Sequence, residues 1–322
     1  MLQVNKGLRT TGPVIVAAML LASCSSGGDG AELPKNRARG QGLVVQVASY
    51  ELLAGRENRF IAGLLTEDNL FVSGGTVNMR FSPLEAGAGG LVTEATGTFL
   101  HIDEGHGPPP ARLTVGPASI GRGVYSANPV VFDSDGPWQV EVEADLGGED
   151  VRAATAAFQV LSEPRVPAPG QRAPRTENLI IGAEGAPSVA VDSRAQTEGG
   201  IPDPELHQTT LAGAIQAGRP ALVVFSTPVY CVSRFCGPIT DMVAGLAEKY
   251  GDRAAFIHVE IWRDFQNKVV NKGAAEWILR GDDLTEPWIF LIGSDGRIVA
   301  RWDNVATPEE IEPFLKQLPV AG

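Results

Sequence analysis

ALVVFSTPVYCVSRFCGPITDMVAGLAEKY, residues 221–250, opens on an unbroken apolar run, closes on an amphipathic one, and carries two cysteines between them. Residues 221–225 lack the polar alternation of a half-solvated strand, so they read as a strand buried on both faces. Ile239, Met242, Val243, Leu246, Ala247 and Tyr250 recur at helical spacing, and Gly251 stops the pattern. The order is therefore strand, a loop with Cys231, and a helix that starts near Cys236.

Working outward, Thr210 caps a short helix through Leu211, Ala214 and Ile215 that ends at Gly218, before Pro220. Downstream, residues 255–261 form a second buried strand and residues 274–279 a helix. Pro287 opens a strand over Trp288–Ile292, and the turn Gly293-Ser294-Asp295-Gly296 returns the chain into residues 297–302. Thr307-Pro308-Glu309-Glu310 is a capping box with proline at the first helical position, and its helix should bury Ile311, Phe314, Leu315 and Leu318. Strands linked through helices, then a hairpin and a last helix, predict a mixed sheet covered on both faces.

Residues 43–162 follow another rule. Val77, Met79 and Phe81 alternate with Asn78 and Arg80, and Trp138, Val140, Val142 and Ala144 alternate with Gln139, Glu141 and Glu143. Phe60, Ala62 and Leu64, then Phe158 and Val160, repeat the pattern. Period two with one apolar face predicts half-buried antiparallel strands, and their number predicts an all-β sandwich. This half resembles, in pattern alone, the immunoglobulin-like modules of bacterial surface proteins, which implies a spacer or a docking surface. It has no cysteine to staple two sheets. His101 and His106 flank Asp103 and Glu104 ahead of Pro108-Pro109-Pro110, but their spacing matches no known ligand set and reads as a solvated loop.

Residues 163–205 separate the halves. Pro164, Pro167, Pro169 and Pro174 favour extended backbone and predict a linker. Short apolar runs at 179–181 and 188–191 offer a first strand for the second domain, residues 206–322.

At the N-terminus, Lys6 and Arg9 precede an apolar run over residues 14–22, closed by Leu21-Ala22-Ser23-Cys24. This is a signal-peptide layout, and the run falls short of the roughly 20 residues that span a bilayer. The closing four residues resemble the lipobox of bacterial lipoproteins. That resemblance implies cleavage after residue 23, acylation of Cys24, and a lipid anchor on the extracytoplasmic side of a membrane of the cell envelope. Residues 24–42 would be a flexible tether. Across 322 residues the formal charge is -12, and cleavage would remove Lys6 and Arg9 but no acidic residue, so nucleic acid is excluded as a partner.

The second domain resembles thioredoxin. Phe235-Cys236-Gly237-Pro238 lies between a buried strand and an amphipathic helix, where thioredoxin has Trp-Cys-Gly-Pro-Cys, and Glu286-Pro287 stands where that family keeps a cis-proline. The resemblance implies Cys236 as nucleophile and a groove for a partner's chain shaped by Pro287, Gly237 and Pro238. Ile239 occupies the place of the resolving cysteine, and the second thiol lies upstream as Cys231. A bridge between them requires Cys231 in a loop, because residues five apart in a helix exceed the roughly 7 Å Cα limit. Export favours oxidation.

The expected activity is thiol-disulfide exchange with protein thiols and disulfides, Cys236 attacking and Cys231 resolving. No cofactor and no metal is expected. Three alternatives stay open. Cys-x4-Cys behind Thr227-Pro228 resembles the peroxiredoxin Q group, although Pro228 stands where that group has threonine or serine. Sco-type copper proteins are tethered and thioredoxin-like too, but space their cysteines one residue closer and add a distant histidine; here His258 reads as a core residue within a strand. The last alternative is a non-catalytic adaptor with a structural disulfide.

Overall fold

Alternation becomes strand structure throughout the first half. A computed structural model describes residues 42–84, 92–102, 107–148, 150–196 and 200–320. The signal peptide over 1–23, Cys24, the tether up to residue 41, and Asp103, Glu104 and His106 lie outside these residues. The first half holds β1 Leu43–Val47, β2 Glu57–Thr66, β3 Phe71–Ser73, β4 Thr76–Pro83, β5 Thr93–Ile102, β6 Thr114–Gly116, β7 Arg122–Val131, β8 Gly136–Asp145 and β9 Val151–Val160.

These strands are hydrogen-bonded in the order β6-β3-β2-β7-β5-β4-β8-β9, with β1 on β2. The two layers expected for a sandwich are thus joined into one path. β5 makes the join, because its ten residues pair with β4 over Thr93 to Thr98 and with β7 over Thr98 to Ile102. Phe60, Phe81 and Phe132 are fully buried and meet the partly buried Phe158 at ring separations of 5.2 to 6.2 Å. Each fully buried aromatic contributes roughly 1.5–3 kcal/mol of hydrophobic stabilisation.

The second half holds β10 Ala221–Ser226, β11 Ala255–Glu260, β12 Trp288–Ile292 and β13 Ile298–Asp303, with helices α1 Leu211–Gln216, α2 Cys236–Tyr250, α3 Lys272–Ile278 and α4 Pro308–Leu315. The sheet order is β11-β10-β12-β13. β10 and β11 are parallel, and the other pairs are antiparallel. Alternate residues of the buried strands enter different cores. Val223, Phe225, Ile257 and Phe290 pack with α1 and α3, whereas Leu222, Val224, Phe256 and Leu291 pack with α2 and α4. That division is why the strand sequences show no polar face.

Local signals explain the helix starts. Thr210 Oγ1 accepts the Gly213 N–H at 3.0 Å, and Glu310 Oε2 accepts the Thr307 N–H at 3.2 Å in a complete capping box. Phe314 departs from expectation: it is 37% exposed, its ring edge-on to Trp302 at 5.4 Å. α4 has only eight residues with Pro313 inside it, and Ile311 and Leu315 alone fill its buried stripe.

Residues 163–205 also depart from expectation. Among the described residues they contain no strand, only 3-10 turns at Ser188–Ala190 and Ser193–Gln196, and Pro204–His207 follows. Nor is the proline-rich part a free linker. The segment turns at Pro169-Gly170 and lies along the β12–β13 hairpin, with Gly170 N–H on the Ile298 carbonyl at 2.8 Å and Ala173 N–H on the Gly296 carbonyl at 2.9 Å. Val166, Ala168 and Ala173 are buried there.

The halves share a junction, and all described residues fall in one compact unit. Ile61, Ile102 and Val124 pack with Val305 and the partly buried Phe235. Arg59 Nε meets Glu310 Oε1 at 2.6 Å, and the Tyr50 N–H donates to Asp303 Oδ2 at 2.6 Å. No helix among the described residues is long and apolar enough to cross a membrane.

Candidate functional site

β10 ends at Ser226, Thr227-Pro228 breaks the strand, and Arg234 turns the chain through a left-handed conformation with φ 64° just before α2. That turn folds Cys231 back over the helix N-terminus. Its sulfur is bonded to Cys236, with the Cα atoms 5.9 Å apart. The Cys236 N–H, one of the first-turn amides with no helical acceptor, points at Cys231 Sγ over 3.3 Å. Ser233 Oγ lies 3.2 Å from the same sulfur.

The two cysteines differ in exposure. Cys236 is fully buried, whereas Cys231 is partly exposed between Val229 and Val232, themselves 50% and 93% exposed. An incoming group therefore meets Cys231 first. Cys236, as the first residue of α2, sits at the positive end of the helix dipole, which favours a thiolate there by about 0.3–1 kcal/mol. Gly237 and Pro238 continue the first turn and are partly exposed.

The Glu286–Pro287 peptide is cis, and Pro287 is buried. Glu286 is the ionisable neighbour of the disulfide: a carboxyl oxygen and both sulfurs lie within 4.8 Å of one another. Its Oε2 is buried without a hydrogen-bond partner. Burial, reinforced by the negative charge of Glu260, pushes its pKa up to about 8, so the side chain is uncharged at neutral pH. Burial also raises the pKa of Glu260, whose oxygens accept the Ser193 N–H at 2.8 Å and the Trp262 N–H at 3.2 Å.

The first half of the chain reaches this site. The Tyr50 hydroxyl donates to the Glu286 carbonyl oxygen, and its ring lies 5.7 Å from that of Trp288. Phe235, next to Cys236, touches the junction cluster. A cleft of about 460 Å³ between the halves, lined by Arg59, Asp303 and Glu310, contains neither cysteine.

The structure brings Cys231, Cys236 and Glu286 together, and sequence reasoning had named only the first two. Glu286 carried a weak signal, as a lone acidic residue directly before the apolar strand that Pro287 opens. Asp192 and His207 were also missed; both are fully buried beside His258. His258 is only half satisfied as a core residue: Nε2 lies 3.2 Å from the Ser226 carbonyl, but Nδ1 makes no hydrogen bond of ordinary geometry and faces Asp192 Oδ2 at 3.4 Å. His101 stacks near Phe99 at 6.5 Å on β5. In comparisons with protein-family models, curated proteins and solved structures, nothing matches this chain.

Proposed function

We propose that this is a lipid-anchored, extracytoplasmic thioredoxin-like protein that exchanges disulfides with other proteins through Cys231 and Cys236. One observation carries the reading: a closed disulfide at the N-terminus of α2 with one sulfur accessible and the other at the first helical position. The mixed β11-β10-β12-β13 sheet, covered by helices on both faces, supports the thioredoxin likeness. An all-β first half fits an immunoglobulin-like module that supports the site through Tyr50.

The exposures favour the reverse of the roles expected from motif position. In the oxidised protein, a thiolate of a dithiol partner attacks Cys231 Sγ. The Cys231–Cys236 bond breaks and its electron pair leaves with Cys236, whose place at the helix start makes it the better leaving group. Protonated Glu286 is placed to give that sulfur a proton. The partner's second thiolate then attacks its own sulfur in the mixed disulfide and releases Cys231. The partner ends oxidised by two electrons and this protein reduced by two. In the opposite direction, Cys231 attacks a partner's disulfide and Cys236 resolves the intermediate.

Equilibration of the purified chain against glutathione buffers tests the reading. A working couple has a potential above about -300 mV, and a structural bond lies below that value. Cys236→Ser should accumulate mixed disulfides through Cys231, and Cys231→Ser should not. A potential far below that limit, with neither variant trapping a partner, would overturn the proposal.

A further inference from the structure

Away from the cysteines, three fully buried residues converge from separate elements. Asp192 lies between the turns Ser188–Ala190 and Ser193–Gln196, His207 closes Pro204–His207, and His258 is in β11. Buried polar atoms are ordinarily hydrogen-bonded, yet neither ring nitrogen of His207 nor Nδ1 of His258 makes a hydrogen bond of ordinary geometry; the Asp192 carboxylate is the charged group that faces both rings. The Ser226 carbonyl can only accept, so the 3.2 Å contact places the His258 proton on Nε2. In the neutral ring, Nδ1 then presents a lone pair.

Nδ1 faces the Asp192 carboxylate. Asp192 Oδ2 lies 3.4 Å from His258 Nδ1 and 3.4 Å from His207 Nε2. Both separations exceed the usual N–H···O range of about 2.7–3.2 Å. They match the edge of a tetrahedron around an ion with ligands at about 2.0–2.1 Å, which is roughly 3.3–3.4 Å long. All three donor atoms fit within 4.8 Å of one another.

The surroundings are those of a ligand set held by an outer layer of contacts. The Ser226 carbonyl fixes the His258 tautomer, and Arg194 holds Asp192 Oδ2 through Nη2 at 2.7 Å and Nε at 3.2 Å. The Arg194 charge is itself met by Asp203 at 2.8 Å and Asp241 at 2.9 Å. Three aspartates, Asp192, Asp203 and Asp241, thus surround one guanidinium, a balance suited to a dication.

We infer that Asp192, His207 and His258 bind one divalent cation with the tetrahedral nitrogen and oxygen preference of zinc, distinct from the cysteine pair. The ion ties Asp192 and His207 to β11, with a solvent oxygen completing its shell. This reverses the expectation of a metal-free protein.

The test uses the full chain, oxidised at Cys231–Cys236, in chelator-treated buffer, titrated with Co²⁺ and then Zn²⁺. The expected result is one equivalent of Co²⁺ with the strong visible absorption of a four-coordinate site, no sulfur-to-cobalt charge-transfer band, and displacement by Zn²⁺. His207→Gln and His258→Gln should abolish uptake, and the C231S/C236S double variant should leave it unchanged. Arg194→Met keeps all three ligands, serves where a ligand variant does not fold, and should weaken affinity about 10–100-fold. The inference is overturned by no uptake after refolding with metal, by uptake that survives His207→Gln, or by loss of uptake in the double variant.

Discussion

Glu286→Gln isolates the least comfortable charge near the disulfide. In the unfolded chain the carboxyl has its ordinary pKa of 4.5, and in the folded protein burial and Glu260 raise it to about 8. Between these values the folded state keeps a proton that the unfolded state has lost. The contribution of Glu286 to wild-type stability should therefore be highest below about pH 4.5, fall as pH rises toward about 8, and level off above that. By linkage the loss at pH 7 is about 3 kcal/mol, and partial exposure of the side chain reduces it to about 2. Glutamine keeps the shape and cannot ionise. The variant should thus be more stable than wild type by about 2–3 kcal/mol near pH 7 and equal to it near pH 4. Urea unfolding of both oxidised proteins across this range, followed by tryptophan fluorescence, measures the difference. Parallel pH profiles for the two proteins would refute the buried-carboxyl argument.

Other outcomes follow from the same geometry. Arg59→Met removes the partner of Glu310 and leaves Asp303 buried without its guanidinium, so denaturant midpoints should report a loss of about 3 kcal/mol; a change under about 0.5 kcal/mol would show the junction to be energetically idle. Reducing Cys231–Cys236 opens a six-residue loop and should cost only about 2 kcal/mol in unfolding experiments; wholesale unfolding on reduction would mark the bond as structural. Cys24→Ser should release the protein from the membrane fraction in its native host and abolish labelling by a fatty-acid analogue, whereas unchanged fractionation would end the lipoprotein reading.

The second half was legible because its signals are local. The runs at 221–225 and 255–261, the Thr210 cap and the Thr307 capping box each declare an element within a few residues, and each element forms. The alternation through Val77, Met79 and Phe81 likewise fixes which face of β4 is buried. The pairing of Cys231 with Cys236 could be expected only by setting Cys24 aside on its resemblance to a lipobox cysteine. What could not be read depends on distance along the chain. Glu286 and Tyr50 meet only after the two halves dock, and Asp192 and His207 lie in a stretch with no period to place them. The prolines of 163–175 marked a stretch without helix or strand, but not that the hairpin edge beside it would supply acceptors. Phe314 misled because helical spacing assigns a side but not how far the buried stripe extends.

The docking of Tyr50, Arg59 and Ile61 onto Asp303, Glu310 and Val305 bears on how this molecule can be dissected. Excising residues 206–322 as a stand-alone unit would bare Val305 and one side of Phe235 to water, strip the lid from Asp303, and remove the hydroxyl that grips the Glu286 carbonyl. Residues 163–175 would be lost as well, uncovering the outer edge of the last hairpin. Such a fragment would be sticky and poorly ordered around its sulfurs, so the shortest faithful version for biochemistry begins near residue 42.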